Sequence, residues 1–471
     1  MCTTTNVFAA LVGVALLIAP LGDLRAEETF YAGPLAESDP AGSADGLAQP
    51  SSGSLGAPQE GLPPDFVRRV EEFMKKSAEK EAAAKQKAAQ KPSITVTGRM
   101  FADSVLFSQS ALSRAAFGDA QDTTFIRQAR LGAEGEMFDV YTYKVEMDFA
   151  GRDSADEQLT SFKDTYLRIR ELPLLGNVQV GHFKEPFSLE QLTSARYVTF
   201  MERSLADVFV PARNMGVMAI DHSENERMTW ALGAFRTMGD TPPFRADDDG
   251  GSALSARITW LPWYDEASDG RGLLHLGVSY SFRDFDDPTQ RVRQRPETSV
   301  GPRVVDTHNI SHLANVNLLG PEVALVYGPF SAQSEWIVAF YNRGGGFGNP
   351  TFHGLYAQIS YFLTGENRVY KRSTGAFDRV KPHENFFRVC TEDGTLATGR
   401  GAWEIAYRYS YLDLNDAGVS GGIASDHTFG LNWYLTPYAR LMFNYVHSDA
   451  DLAQFQDVPL DIFEMRAQFD F

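Results

Sequence analysis

The chain has 471 residues, more than one ordinary globular domain holds, so a single large architecture has to explain most of it. Hydrophobic residues make up 43% and aromatics 12%, and the mean hydropathy is −0.26; beyond residue 22 no apolar run reaches the roughly 18 residues that a membrane-spanning helix needs, which excludes a helical inner-membrane protein. A formal net charge of −18 argues against nucleic acid as a partner, but says little about a channel, whose selectivity follows the charges on its lumen.

Residues 1–26 read as an export signal: an apolar stretch from Val7 to Leu21, then small Ala26 before Glu27 and Glu28, although no Lys or Arg precedes the stretch. Cys2 would leave with this segment, so Cys390 alone remains and no intrachain disulfide is expected. Residues 27–64, rich in Gly, Pro, Ser and Ala, cannot bury enough surface to order themselves and read as a linker. Residues 65–92 are strong helix formers closed by Pro92, with Phe66, Val70 and Phe73 at helical spacing; a short periplasmic α-helix is expected, with too few apolar heptads to establish a coiled coil.

From Ser93 to Phe471 the apolar period is two. Phe463, Met465, Ala467, Phe469 and Phe471 alternate with Glu464, Arg466, Gln468 and Asp470; Tyr141, Tyr143, Val145, Met147 and Phe149 alternate with Thr142, Lys144, Glu146 and Asp148. The same parity runs through Trp403, Ile405, Tyr407, Tyr409 and Tyr411, and through Leu276, Val278, Tyr280 and Phe282. Such strands fit a sheet with one face toward lipid and the other toward a polar lumen. A soluble sandwich or propeller would seldom carry faces this aromatic. About sixteen strands are expected, an even number as closed bacterial barrels require, starting near 94, 122, 139, 162, 175, 214, 227, 252, 273, 319, 331, 352, 400, 424, 438 and 461. The fold class is therefore all-β, a transmembrane antiparallel β-barrel over 93–471. Connections alternate long (187–213, 285–318) and short, except that 364–399 is long on the side where short turns belong.

The stretches Gly181-His-Phe-Lys-Glu-Pro-Phe-Ser-Leu-Glu190, Thr199-Phe-Met-Glu-Arg-Ser204, Phe125-Ile-Arg-Gln-Ala-Arg-Leu131, Tyr361-Phe-Leu-Thr-Gly-Glu366, Ala402-Trp-Glu to Arg408-Tyr-Ser-Tyr-Leu-Asp-Leu414, and Gly430-Leu-Asn-Trp-Tyr434 resemble the phosphate-selective porins of the O and P type. The resemblance implies a sixteen-stranded barrel, usually a homotrimer, whose third and fifth outer loops and one long periplasmic turn fold inward to narrow the pore. It further implies arginines and lysines that take over from water as partners of a small anion, since a guanidinium offers a bidentate fork to an oxyanion. On the second strand the family motif carries adjacent arginines, whereas here Arg127 is followed by Gln128; Gln128 and Arg130 have inward parity, and Arg127 falls on the lipid parity unless a bulge turns it. Lys184, Arg196, Arg203 and Arg213 belong to the third-loop motif and its flanks. Arg291, Arg293 and Arg295 alternate in the fifth loop and resemble the ladder that leads anions down the vestibule. Against these stand structural readings: Asp148, Glu134 and Glu146 can neutralise wall arginines, Glu202 and Arg203 can pin the loop, and the loop arginines can be merely solvated.

Asp247-Asp248-Asp249 reads as an exposed acidic loop. Nine histidines, His182 and His447 among them, show no metal-ligand or catalytic spacing, so no enzyme activity, metal site or cofactor is expected. The expected partners are outer-membrane lipid and lipopolysaccharide, small anionic solutes and further copies of the chain. The alternatives are a general, non-selective porin and a structural outer-membrane protein tethered through its N-terminal helix.

Overall fold

A computed structural model describes residues 68, 74–76, 92–152, 158–237, 251–285, 287–390 and 395–471. Backbone at Arg68 and at Met74–Lys76 is helical; the rest of the expected helix, the expected signal and linker, and the acidic run at 247–249 lie outside the described residues.

Sixteen antiparallel strands close into one barrel in simple sequential order. They are β1 (Thr95–Gln109), β2 (Thr123–Met137), β3 (Tyr141–Arg152), β4 (Gln158–Leu172), β5 (Gly176–Lys184), β6 (Arg213–His222), β7 (Met228–Arg236) and β8 (Ser252–Tyr264). There follow β9 (Gly272–Asp284), β10 (Leu313–Tyr327), β11 (Phe330–Arg343), β12 (Thr351–Phe362), β13 (Ala402–Asp416), β14 (Val419–Thr436), β15 (Ala439–Asp451) and β16 (Val458–Asp470). The barrel shuts where β16 pairs with β1, from Arg99 opposite Asp470 to Gln109 opposite Leu460.

Burial is inverted relative to a soluble sheet. Alternate residues of the last strand place Phe463 outward and 50% exposed, while Arg466, on the inward parity, is 1% exposed. The outward faces of β9 and β13 repeat the pattern with Leu276, Val278, Tyr280, Phe282 and Ile405. Lipid is the solvent that makes such a surface stable.

Several strands begin earlier than their alternation suggests: β10 starts at Leu313, β14 at Val419 and β16 at Val458, ahead of the expected 319, 424 and 461. The reason is inside the lumen. At this end of the barrel the inward positions are also apolar, among them Val316, Leu318, Leu412, Ala424, Val446, Leu460 and Ile462. They pack against Phe187, Leu205 and Phe209 of loop L3 (185–212) and Val292, Val304 and Ile310 of loop L5 (285–312). With both faces apolar, period two disappears from the sequence. Each of the larger side chains withdrawn from water here contributes about 1.5–3 kcal/mol.

At the opposite rim the long connection T6 (363–401) also turns inward. Tyr370, Ala376 and Phe377 pack with Leu189 of L3 and with Leu261, Leu273 and Val326 of the wall. The connection before β14, expected to be longer, is the two-residue turn Ala417-Gly418, both left-handed in φ, as a tight hairpin requires. Long and short connections therefore cease to alternate at two neighbouring places, and the inward fold of T6 accounts for the first.

The seam depends on Gly98. Its N–H donates to the Phe471 carbonyl (3.1 Å) and its carbonyl accepts from the Phe471 N–H (3.0 Å), while the Phe471 ring lies where a Cβ on residue 98 would come within 2.3 Å of it. An aromatic thus covers a glycine across the closing pair. Gly98→Val should displace the ring and slow barrel closure, read as a smaller fraction of heat-modifiable folded barrel in cold gel electrophoresis; Ala102→Val, on the same face, should not. Equal folded fractions in the two variants would contradict the role of this pair.

Candidate functional site

Loop L3 leaves the wall after Lys184 and crosses the lumen, where charged groups fix it at each step. At its start, Glu185 accepts from Arg283 (2.8 and 2.9 Å) and Asn214 (2.7 Å). The short helix Leu189–Leu192 then presents the backbone N–H groups of Leu189 and Glu190 to the Glu335 carboxylate on β11, at 3.0 and 2.7 Å. Arg408 on β13 donates to the Glu190 carboxylate (2.9 Å), to the Glu202 carbonyl (2.9 Å) and to Glu297 of L5 (2.5 Å).

Further along, the backbone carbonyls of Arg196, Val198 and Thr199 accept from Gln468, Arg440 and Asn432 at 3.0, 2.9 and 2.8 Å. Arg466 on β16 grips Asp103 with two bonds (2.7 and 2.6 Å) and reaches the Met201 carbonyl (2.5 Å) and Glu202 (2.7 Å). The loop thereby lies against β11–β16, while toward β1–β6 it is joined at fewer points, Glu185 to Asn214 of β6 and Glu202 to Arg127 of β2 among them, and leaves a gap.

Between L3 and the β1–β6 wall remains a cavity of about 800 Å³, closed on one side by L5. Its lining among the described residues holds eleven basic side chains and six acidic ones. Of the expected site residues, Arg127, Arg130, Lys184, Arg196, Arg203, Arg213 and Arg295 line it; Arg291 and Arg293 do not. Arg291 is instead paired with Asp306 within the L5 hairpin, so the three alternating arginines do not form one row on the cavity.

Arg127 faces inward because β2 has an extra residue at this point. Pairing with β1 passes from Phe101 opposite Gln128 to Ala102 opposite Ile126, leaving Arg127 without a partner in the register. The bulge re-aims one side chain, so Leu131 on one side of it and Ile126 on the other both meet lipid despite opposite parity. Arg127 then forms a bidentate pair with Glu202 (2.8 and 3.0 Å). Burial would raise the Glu202 carboxyl, but Arg127 and Arg466 hold it at about 2.

The wall cations divide by what they touch. Arg130 is engaged by Asp148 (2.7 Å) and Glu146 (3.0 Å), Arg213 by Asp164 (2.8 Å), and Arg196 more loosely by Asp470 (3.4 Å). Lys184 and Arg203 donate to loop carbonyls, meeting at that of Gln191. Sequence reasoning missed Arg99, Lys144, Lys163 and Arg303. Lys144 was legible from its strand parity; Arg303 was not, because only the L5 hairpin brings it beside Arg295. No carboxylate among the described residues lies within ion-pair distance of Arg303, and burial, with Arg295 and Arg293 nearby, lowers its pKa to about 10.

Comparison with known proteins agrees with this geometry. The family model described as "Phosphate-selective porin O and P" matches residues 95–471. Porin O of Pseudomonas aeruginosa is 26% identical over 366 residues, covering 71% of this chain and 78% of that protein. An uncharacterized protein of Caulobacter vibrioides is 31% identical over 335 residues, covering 68% of this chain and 62% of its own length. In fold, the chain is similar to the outer membrane channel DcaP of Acinetobacter baumannii, with a TM-score of 0.51 at 12% identity, covering 81% of this chain and 97% of that one.

The loop clamp can be tested at Arg466. Arg466→Met removes four hydrogen bonds and leaves Asp103 buried without its cation, at a cost of about 3–5 kcal/mol. The variant should lose its folded gel mobility at a lower temperature than the parent and show larger, noisier single-channel currents as L3 comes free. Parent-like conductance with parent-like stability would contradict the clamp.

Proposed function

The chain belongs to the phosphate-selective porin O and P family and is an outer-membrane porin, a channel and not an enzyme; from that premise we propose that it passes small anions by passive diffusion, phosphate and other oxyanions among them. The observation that carries this reading is the charge balance of the cavity, where basic side chains outnumber acidic ones eleven to six in a chain whose net charge is −18.

Charges inside a narrow, low-dielectric passage act at close range, whereas surface charges are screened beyond about 8 Å at physiological salt. The anion-guiding residues in this reading are Arg295 and Arg303 at the L5 side, then Lys184 and Arg203 where L3 leaves the wall, with Arg127, Arg130, Arg196 and Arg213 holding the positive wall in shape. Several weak contacts in series let an ion exchange water for guanidinium and ammonium groups without being trapped. Arg291 and Arg293 set the field less directly, from outside the cavity.

In the same reading, the rim bearing L3 and L5 faces the cell exterior and its lipopolysaccharide, the T6 rim and the N-terminal helix face the periplasm, and three copies associate. The general-porin alternative draws on the carboxylates that already pair with Arg130 and Arg213.

Reversal potential in a salt gradient separates the two. The parent should favour anions at low ionic strength, and Arg295→Gln with Arg303→Gln should move the reversal potential toward cations, with less effect at high salt. Arg291→Gln should change it little, since Arg291 is exposed and already neutralised by Asp306. A parent without anion preference would favour the general porin.

A further inference from the structure

Besides its cations, the cavity wall carries two hydrogen-bonding atoms that the protein leaves unused. Gln128 is 5% exposed, and its Oε1 has no hydrogen-bond partner among the described residues. Asp207 sits in the 3-10 turn Leu205–Phe209 of L3, and its Oδ1 is buried and likewise without a hydrogen bond. The nearest cation to it, Arg203 Nε, stands 3.9 Å away, beyond hydrogen-bond reach.

Buried polar atoms are nearly always paired, because an unpaired one costs the desolvation of the group with nothing in return. Gln128 Oε1 and Asp207 Oδ1 are themselves closed to solvent, but the Asp207 side chain is 29% exposed and lines the cavity, so its carboxylate is open to a permeant solute through Oδ2. An ionised carboxylate only accepts hydrogen bonds, and a glutamine amide accepts at one end, where the arginine of the family motif could only donate. Lys184 and Arg203, meeting at the Gln191 carbonyl, supply donors on the same stretch of wall. A solute that satisfies all of them presents negative oxygens to the cations and an O–H to the acceptor.

We propose that Asp207 is a specificity-determining residue, which makes the passage favour oxyanions that carry a proton, such as hydrogenphosphate or bicarbonate, over fully deprotonated ones such as sulfate. The inference rests on the anion-porin reading above and adds to it the rule by which one anion is told from another. Sulfate brings only acceptors to Asp207 and leaves two negative oxygens facing each other; hydrogenphosphate has the same shape and charge and donates.

The rule depends on pH. The charged groups around Asp207 are Arg203, Glu190 and Glu202 within L3, and Lys184 at the end of β5. Burial raises the Asp207 carboxyl to about 6; Glu190 and Glu202 add to the rise and Arg203 and Lys184 oppose it. Above that pH the group is an acceptor and discriminates. Below it the group holds a proton, can donate to sulfate, and the distinction fades, although phosphate itself keeps its protons.

The experiment is block of single-channel chloride current in planar bilayers by sodium phosphate and by sodium sulfate, using the full protein. At about pH 8 both blockers are mainly divalent tetrahedra that differ by one proton, and a site built to bind an O–H rejects the analogue lacking it. Phosphate should block at a concentration at least about tenfold below sulfate, the ratio should fall toward one at about pH 5, and Asp207→Asn, which keeps the shape and adds a donor, should bring it toward one at both pH values. Equal block by the two anions in an anion-selective parent at about pH 8, or an unchanged ratio in Asp207→Asn, would overturn the role of Asp207 while leaving the porin reading intact. A parent whose reversal potential shows no anion preference would overturn both.

Discussion

The structure depends on arginines that hold backbone carbonyls inside a membrane barrel. A barrel wall satisfies its own backbone, but a loop laid across the lumen does not, and its carbonyls and N–H groups need partners in a space short of bulk water. Here Arg408, Arg440 and Arg466, each on one of the last strands, provide those partners, and Glu335 provides the acceptor for the start of the loop helix. Because guanidinium is a fixed fork of donors, it can bind a carboxylate and a carbonyl at once, which is how Arg466 joins Asp103, Met201 and Glu202.

That one-sided clamp determines where solute can go. L3 and L5 bury apolar side chains against β10–β16, and T6 fills the opposite end against the wall of β8–β10. The cavity is left on the β1–β6 side, where Arg127 alone of the wall arginines of β2 is drawn to the loop, by Glu202. The same residue type thus serves in two places: under the loop, Arg408, Arg440 and Arg466 bind protein oxygens, and in the proposed reading Arg203 and Arg303, with Lys184, meet the anion. Asp207 adds the opposite capability, an acceptor among donors.

The fold was legible where one face of a strand meets lipid and the other meets charge. The residues from Phe463 to Phe471, Tyr141 to Phe149 and Leu276 to Phe282 announced both the strand and its orientation. Legibility failed where loops cover the inner wall, as at Val458, Leu460 and Ile462, since burial by protein and burial by lipid select the same side chains. The site was partly readable: Arg127 on lipid parity left a choice between lipid and a bulge, which the register at β1 resolves as a bulge, and Lys184 and Arg203 followed from their motif. Arg303 and Asp207 could not be found from spacing, because their neighbours come from a hairpin and a 3-10 turn whose partners lie far away in sequence. The arginines at 291, 293 and 295 do not share one row on the cavity for a local reason, since the first is paired with Asp306 across the same hairpin and only Arg295 lines the cavity.

The central claim is that the lumen is divided, with a passage along β1–β6 and a sealed interior beneath L3. Cysteine accessibility tests it most directly, in a Cys390→Ser background. Ala150 lines the passage and Ser448 faces the lumen under the clamped loops, 1% exposed. With Ala150→Cys, a negatively charged thiosulfonate reagent should react within seconds and reduce the current, and with Ser448→Cys the same reagent should leave the current unchanged. Comparable block at both positions would mean that solute reaches both halves of the lumen, and the divided channel would be wrong.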